Sequence, residues 1–215
     1  KKPHRKNPTE EPATLSVPEP VQPEKGIFPV VGLGASAGGL KPLQQFFAKM
    51  PADSGMAFVV IMHLSPKHES HAAEILQSST SMPVAQVTER VAVEPNKVYV
   101  IPPTKDLSMH DGHINLSEAG RRGGKNGSVD LFFRTLADTH NVHSACIVLS
   151  GSGSDGSVGL KRVKEQGGVC LAQDPREAEY DSMPRNAIAT GMVDLVLPVA
   201  EMPAKLIEIW RNASQ

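Results

Sequence analysis

The sequence is poor in cysteine and carries almost no net charge. Only two cysteines occur among 215 residues, Cys146 and Cys170, and each lies inside an apolar segment. We therefore expect two buried thiols in reducing surroundings, and the pattern argues against a disulfide framework. The formal net charge of −1 gives no electrostatic reason to expect nucleic acid or an anionic membrane as the main partner.

Long apolar runs are also missing. No run approaches the roughly 18 residues that a membrane span needs. The N-terminal segment lacks the apolar core of a signal peptide. Hydrophobic residues make up 40% of the chain and charged residues 21%, shares that are typical of a globular domain. We expect a cytoplasmic protein without membrane insertion, and the start at Lys1 suggests a piece of a longer chain.

Residues 1–25 differ in composition from the rest. They hold six of the 18 prolines, mixed charges and almost no large apolar side chains. Such a segment cannot bury enough apolar surface to fold. We predict a disordered, Pro-rich linker over residues 1–25 and a single folded domain over residues 26–215.

In the folded part, short β-branched runs alternate with helical stretches, which is typical of parallel strands joined by crossover helices. Phe28–Leu33 is predicted as the first strand, Leu40–Met50 as a helix and Ala57–Met62 as a strand buried on both faces. Further strands are predicted over Val84–Val87, Lys97–Ile101, Ala145–Leu149, Val169–Ala172 and Val193–Leu197, and further helices over Ser70–Gln77, Val129–Ala137, Val158–Glu165, Ala187–Thr190 and Ala204–Trp210.

These elements predict an α/β domain with a doubly wound, mostly parallel sheet and helices on both faces. A small antiparallel insertion is expected near residues 97–116, with a hairpin turn at Asp111-Gly112.

Polar side chains follow three of the predicted central strands. Ser36 comes after the first strand, His63 directly after Ala57–Met62, and Asp155 within the glycine-rich turn after Ala145–Leu149. Ligands of open α/β sheets bind outside the carboxyl ends of the strands. We therefore expect a serine, a histidine and an aspartate to converge on one edge of the sheet.

Ser36 lies in Gly34-Ala35-Ser36-Ala37-Gly38, which fits G-x-S-x-G between a strand and a helix. Small neighbours permit a sharp turn that leaves the hydroxyl exposed. Backbone N–H groups at the start of the next helix are suited to stabilise an oxyanion. The alternative is a tight strand-to-helix turn without catalytic function.

The same stretch supports a rival hypothesis. Gly32–Ala37 also satisfies the dinucleotide fingerprint G-x-G-x-x-[G/A]. That fingerprint calls for an acidic residue at the end of the second strand. The second strand here ends at His63, and Asp53 lies before it. The dinucleotide reading thus lacks its second requirement.

His63 and Asp155 each have a simpler interpretation. A histidine at a strand end is often structural, and an aspartate before a helix is often its N-cap. A metal site at His63, His68 and His71 is disfavoured because H-E-S-H misses the zinc spacing H-E-x-x-H by one residue. We predict neither a metal nor a cofactor.

From about residue 27 to 212 the chain resembles the catalytic domain of the CheB-type chemotaxis protein-glutamate methylesterases. The residues that carry the resemblance are Gly34–Gly39, His63–Pro66, Val98–Pro102, Ser128–Phe132, Leu149–Gly156, Ala172–Asp174, Met183-Pro184 and Ala187-Ile188. The resemblance implies a serine hydrolase with the catalytic triad Ser36, His63 and Asp155. It also implies removal of γ-methyl esters from glutamates on the cytoplasmic helices of chemoreceptors, and deamidation of receptor glutamines.

Two positions depart from the family pattern, in which threonine often follows the nucleophile and methionine often occupies the glycine turn. This chain has Ala37 and Ser152 there. Both changes are tolerable if the backbone N–H groups of Ala37, Ser152 and Gly153 stabilise the oxyanion. The segments 63–66 and 102–107 resemble the branch in which the domain is fused to a CheR-type receptor methyltransferase. Two alternatives stay open: a catalytically silent partner-binding module with this fold, and a dinucleotide-binding domain.

Overall fold

The computed structural model describes residues 27–63, 71–120 and 127–213. A seven-stranded sheet forms its centre. The strands of this sheet are β1 (Val30–Ala35), β2 (Ala57–Met62), β3 (Val84–Gln86), β5 (Val98–Val100), β8 (Ser144–Val148), β9 (Val169–Gln173) and β10 (Leu195–Leu197). Their order across the sheet is β10-β9-β8-β1-β2-β5-β3, and every neighbouring pair is parallel. The predicted parallel α/β architecture is confirmed.

The middle strands β1, β2 and β8 are buried at every residue. Strands covered by helices on both faces need apolar side chains on both faces, which explains the continuous apolar runs of the sequence. From β1 the chain adds β2, then β3 at the edge and then β5 between β2 and β3, before it returns to β8 on the other side of β1. The point where the strand order reverses therefore lies between β1 and β8.

Helices cover the sheet on both faces. The helices are α1 (Leu40–Lys49), α2 (Ala72–Gln77), α3 (Ser128–His140), α4 (Ser157–Glu165), α5 (Ser182–Ala189) and α6 (Met202–Ala213). Apolar side chains of α1, α2 and α6 pack on one face, and those of α3, α4 and α5 pack on the other. On the first face, Phe46, Phe47 and Phe58 meet edge to face.

A second, antiparallel sheet packs beside α3. It consists of β4 (Val91–Ala92), β7 (His113–Glu118) and β6 (Lys105–His110), in that order. The β6–β7 turn lies at Asp111-Gly112, as predicted, and both residues have positive φ. The predicted extent of the insertion is wrong, because β5 pairs in parallel with β2 and β3 in the central sheet. All three β5 residues are buried, as in the middle strands.

Some predicted boundaries also shift. Helix α5 begins at Ser182 rather than at the predicted Ala187, because Pro184 lies in the first turn, where a missing N–H removes no helical hydrogen bond. The predicted linker over residues 1–25, like the predicted helix start at Ser70, falls outside the described residues. In the part of the chain that the structure describes, no helix is long and apolar enough to cross a bilayer.

Candidate active site

The three predicted site residues lie on the loops that follow three adjacent strands. Ser36 follows β1, His63 follows β2 and Asp155 follows β8, and the strand order β8-β1-β2 sets these loops side by side. All three loops leave the carboxyl edge of the sheet at its point of strand reversal, the usual ligand position of this architecture. The structure thus brings together the three residues that the sequence singled out.

The Ser36 turn is fixed by its backbone. The N–H of Ser36 donates to the carbonyl of Ser150 (3.0 Å), and the N–H of Gly39 donates to the carbonyl of Ser36 (3.0 Å). Gly38 has φ +70°, and a Cβ there would lie 2.8 Å from the Ser150 Oγ. The turn therefore requires glycine at residue 38, both for its conformation and for space.

Several N–H groups near Ser36 are free to bind a ligand. Within residues 27–63, 71–120 and 127–213, the backbone N–H groups of Ala37, Ser152 and Gly153 have no hydrogen-bond acceptor. The loop that carries Ser152 and Gly153 is held by Asn186, whose Nδ2 donates to the Gly153 carbonyl (2.8 Å). These are the three backbone amides that were predicted from the sequence as hydrogen-bond donors to the oxyanion.

The Ser36 hydroxyl does not contact the His63 ring by a hydrogen bond. It donates instead to the main-chain carbonyl of His63 over 3.4 Å. The imidazole faces Asp155, with 4.0 Å between Nε2 and the Asp155 Oδ2, and the His63 side chain is 49% exposed. The three residues are thus neighbours, while the side chains of these described residues are not hydrogen-bonded to one another.

Asp155 is held by a helix other than the one it precedes. Its Oδ1 accepts the N–H of Asp130 (2.9 Å) and its Oδ2 the N–H of Val129 (3.1 Å), so it satisfies the first turn of α3. The alternative interpretation of Asp155 as the N-cap of the following helix is therefore wrong in its target. Helix α4 has Gly156 at its N-cap, with φ +96°, and no described side chain caps it.

Gly127 makes room for this carboxylate. A Cβ at residue 127 would lie 2.1 Å from the Asp155 Oδ2. Gly127 was not among the predicted site residues. Its position at the N-cap of α3 is the signal that could have pointed to it.

A second carboxylate, that of Asp130, is buried beside the site and was not predicted. It is 4% exposed, and its Oδ1 accepts the N–H of Gly159 over 2.7 Å in the first turn of α4. Burial raises the pKa of Asp130, the Gly159 N–H lowers it, and the nearby Asp155 charge raises it; the net direction is upward. The sequence signal was an aspartate in the first turn of a helix.

The glycines of the rival dinucleotide motif serve helix packing. A Cβ at Gly34 would lie 2.4 Å from a Val129 methyl group, and one at Gly32 would lie 3.1 Å from the Phe133 ring. Both glycines therefore let α3 approach β1 closely. Asp53 lies at the opposite, amino-terminal end of the strands, beside a cleft of about 650 Å³ that Trp210 also lines.

Of the three histidines considered for the disfavoured metal site, His68 lies outside the described residues. Among the residues that are described, no group of three or more His, Cys, Asp or Glu side chains is placed to hold a metal ion.

Comparison with known proteins places the chain in a family. The chain is similar to a Leptospira interrogans protein, at 28% identity over 186 residues, which cover 86% of this chain and 96% of that protein. It is 31% identical over 189 residues to the protein-glutamate methylesterase/protein-glutamine glutaminase of Pyrococcus horikoshii, covering 85% of this chain but only 51% of that protein. The crystal structure of the Thermotoga maritima CheB methylesterase catalytic domain superposes with a TM-score of 0.75 at 27% identity, covering 85% of this chain and 98% of that one.

The family model described as CheB methylesterase matches residues 31–206. That range contains the whole parallel sheet except the first residue of β1, together with all three site loops. The chain belongs to the CheB methylesterase family.

Proposed function

We propose that this chain is a serine hydrolase that removes methyl groups from glutamate γ-methyl esters of chemoreceptors. Ser36 is the nucleophile, His63 the general base and Asp155 the residue that orients the imidazole. The observation that carries the proposal is the edge of the sheet that Ser36, His63 and Asp155 share. There Ser36 lies beside the Ala37 N–H, which has no acceptor among the described residues, and His63 faces Asp155 at 4.0 Å. Membership of the CheB methylesterase family and the name of the Pyrococcus relative, a protein-glutamate methylesterase/protein-glutamine glutaminase, support the same reaction class, ester hydrolysis.

In the first half-reaction, the Ser36 Oγ attacks the ester carbonyl carbon while His63 takes the hydroxyl proton. The carbonyl oxygen becomes an oxyanion that accepts hydrogen bonds from the N–H groups of Ala37, Ser152 and Gly153. Collapse of the tetrahedral intermediate breaks the carbon–methoxide bond. His63 returns the proton, and methanol leaves.

In the second half-reaction, His63 takes a proton from water, and the hydroxide attacks the glutamyl-Ser36 ester. Collapse returns the proton to the Ser36 oxygen and releases the glutamate side chain. With a receptor glutamine as substrate, the leaving group of the first step is ammonia, and the second step is the same.

In the structure the Ser36 hydroxyl donates to the main-chain carbonyl of His63 and not to its ring. The His63 ring must therefore turn towards Ser36 for the first proton transfer. Half of the His63 side chain is exposed, so this rotation meets little packing. The two ring nitrogens lie on opposite sides, and one can therefore face Ser36 while the other faces Asp155.

The cellular setting is part of the proposal. We place the domain in the cytoplasm with the methylated cytoplasmic helices of receptors as partners, and residues 1–25 as a tether to a neighbouring domain. The segments 63–66 and 102–107 support a CheR-type methyltransferase as that neighbour.

The test is methanol release from a methylated receptor fragment. Ser36→Ala should lower the rate about 10⁴- to 10⁶-fold, as loss of the nucleophile does in serine hydrolases. Ser154→Ala is the matched control, since Ser154 is an exposed serine on the same edge whose side chain makes no hydrogen bond in the described part of the chain.

Release that survives Ser36→Ala would remove Ser36 from the mechanism. No release from either protein, with both shown to be folded, would favour the partner-binding module. A titration with NAD or ATP, followed by the shift of the thermal unfolding midpoint, would then test the dinucleotide alternative.

A further inference from the structure

Ser150 lies two residues after the last residue of the buried strand β8. It is a polar residue and is fully buried. Its main-chain carbonyl accepts the N–H of Ser36 (3.0 Å), and its hydroxyl donates to the carbonyl of Ala37 (2.9 Å). One residue thus holds the nucleophile turn on both sides of the Ser36–Ala37 peptide. Neither contact was expected from the sequence.

The consequence for the Ala37 N–H is geometric. The peptide before Ser36 is fixed by the Ser150 carbonyl, and the peptide after Ala37 is fixed by the Ser150 hydroxyl. The peptide between them is fixed by the bond from the Gly39 N–H to the Ser36 carbonyl. Three successive peptides are therefore held, and the Ala37 N–H in the middle is left without an acceptor in the described residues.

The Ser150 hydroxyl also ties in the loop before α5. It accepts the N–H of Tyr180 (3.0 Å), while the Tyr180 carbonyl accepts the N–H of Gly151 (2.9 Å). The absence of a side chain at Gly38 is part of this arrangement, because a Cβ there would lie 2.8 Å from the Ser150 Oγ and 3.0 Å from the Tyr180 ring.

A second layer holds Ser150 itself. The Ser150 N–H donates to the Oε1 of Gln173, which is 2% exposed. The Gln173 Nε2 donates to Glu177 (3.3 Å), which also accepts the N–H of Val199 (2.7 Å). Buried polar groups with all partners in place confer rigidity, since any displacement leaves one of them unsatisfied.

We infer that Ser150, supported by Gln173, is a positioning residue for the reaction: it orients Ser36 and aims the Ala37 N–H at the oxyanion. The inference rests on the proposed function, since it gives the turn a catalytic purpose. Ser150 touches no reacting atom, and its effect passes through the Ser36–Ala37 peptide.

Ser150→Ala removes the hydroxyl bonds to Ala37 and Tyr180 but keeps the main-chain bond to Ser36. We expect kcat for methanol release to fall about 10- to 100-fold with KM changed by less than about twofold, because a misaimed oxyanion donor weakens transition-state binding. Ser150→Thr retains the hydroxyl and should recover most of kcat. Gln173→Leu leaves the Ser150 N–H without its acceptor and should lower kcat in the same direction, by a smaller factor.

Ser144→Ala is the matched control. Ser144 is also fully buried, begins the same strand at the end away from the site, and donates its hydroxyl to the Asn141 carbonyl over 2.6 Å. Its loss should lower thermal stability about as much as Ser150→Ala does, with kcat unchanged. An equal fall of kcat in both variants would reduce Ser150 to a stabilising residue and overturn the inference.

Labelling of Ser36 by a serine-directed phosphonate separates the inference from the proposed function. If the parent protein is labelled but releases no methanol, and Ser150→Ala slows labelling about 10-fold or more, Ser150 positions a nucleophile for another ester. If labelling proceeds equally fast in Ser150→Ala, the inference is wrong, whatever the methanol result. If the folded parent protein is not labelled at Ser36 at all, both the inference and the proposed function are overturned.

Discussion

Asp155 and Asp130 cap each other's helices. Asp155, at the start of α4, accepts the N–H groups of Val129 and Asp130 in the first turn of α3. Asp130, within α3, accepts the N–H of Gly159 in the first turn of α4. The carboxylate that faces His63 is thereby held by the first turn of α3 rather than by its own loop. The Asp130 bond to Gly159 joins α3 to α4, so the orientation of Asp155 is coupled to the packing of these two helices.

Asp155 should show separable effects on stability and on activity. Asp155→Asn keeps an acceptor oxygen for α3 but loses the charge that faces His63. We expect kcat to fall by about 10⁴-fold, as in other triads with this change. The free energy of unfolding should fall less than in Asp155→Ala, because Asn keeps one of the two acceptor oxygens. Asp155→Ala also loses the cap, so it should be less stable than Asp155→Asn by about 1–2 kcal/mol. Methanol release and urea unfolding measure the two effects, and equal unfolding midpoints for the two variants would contradict the capping role.

Gly127→Ala tests the space around Asp155. The added Cβ would lie 2.1 Å from the Asp155 Oδ2, so the carboxylate must leave its position at the N-terminus of α3. We expect a loss of about 1–3 kcal/mol in unfolding free energy and a lower kcat. In an Asp155→Ala background the same substitution should be nearly neutral, because the atoms it meets are gone. A full penalty in that background would place its cause elsewhere.

Asp130 should make stability depend on pH. Its pKa in the folded protein is raised above the ordinary 3.8, mainly by burial. At a pH between 3.8 and the raised pKa of the folded protein, the folded state binds more protons than the unfolded state. The free energy of unfolding therefore falls as pH rises through this range. The contribution is fully present below 3.8 and is lost once pH exceeds the folded pKa.

The Asp130→Asn variant is the measurement for this effect, since it keeps an acceptor for Gly159 and does not titrate. We expect the free energy of unfolding of the parent protein, relative to Asp130→Asn, to decrease from acid towards neutral pH in urea titrations. A difference that rises with pH, or stays flat, would show that burial does not dominate at this carboxyl.

Gly34→Ala tests why the G-x-G sequence is there. The new Cβ would lie 2.4 Å from a Val129 methyl group, and overpacking of this kind lowers stability by about 1–3 kcal/mol. In the Gly34→Ala, Val129→Ala double variant the loss should be smaller than the sum of the two single losses. Strict additivity would mean that the two residues do not meet as the structure has them.

The sequence by itself determined most of the helices and strands of the parallel sheet and their order along the chain. Buried parallel strands require continuous apolar runs, so β2 was placed at Ala57–Met62 with both ends correct. The hairpin turn at Asp111-Gly112 followed from residues that tolerate positive φ. Strand β5 was assigned to the wrong sheet, because three apolar residues fit a parallel or an antiparallel partner equally well.

The sequence also predicted the three residues of the site. The predicted strands and the chemistry of the residues that follow them were enough to select Ser36, His63 and Asp155, because residues that follow central parallel strands share one edge. Only the tertiary structure decided how they are held. Asp155 caps α3, Ser150 fixes the turn of Ser36, and Gly127 leaves space for a carboxylate, each across a long separation in the chain. Local sequence patterns carry no information on which distant N–H a side chain will meet, because that contact is set by how the helices pack on the sheet.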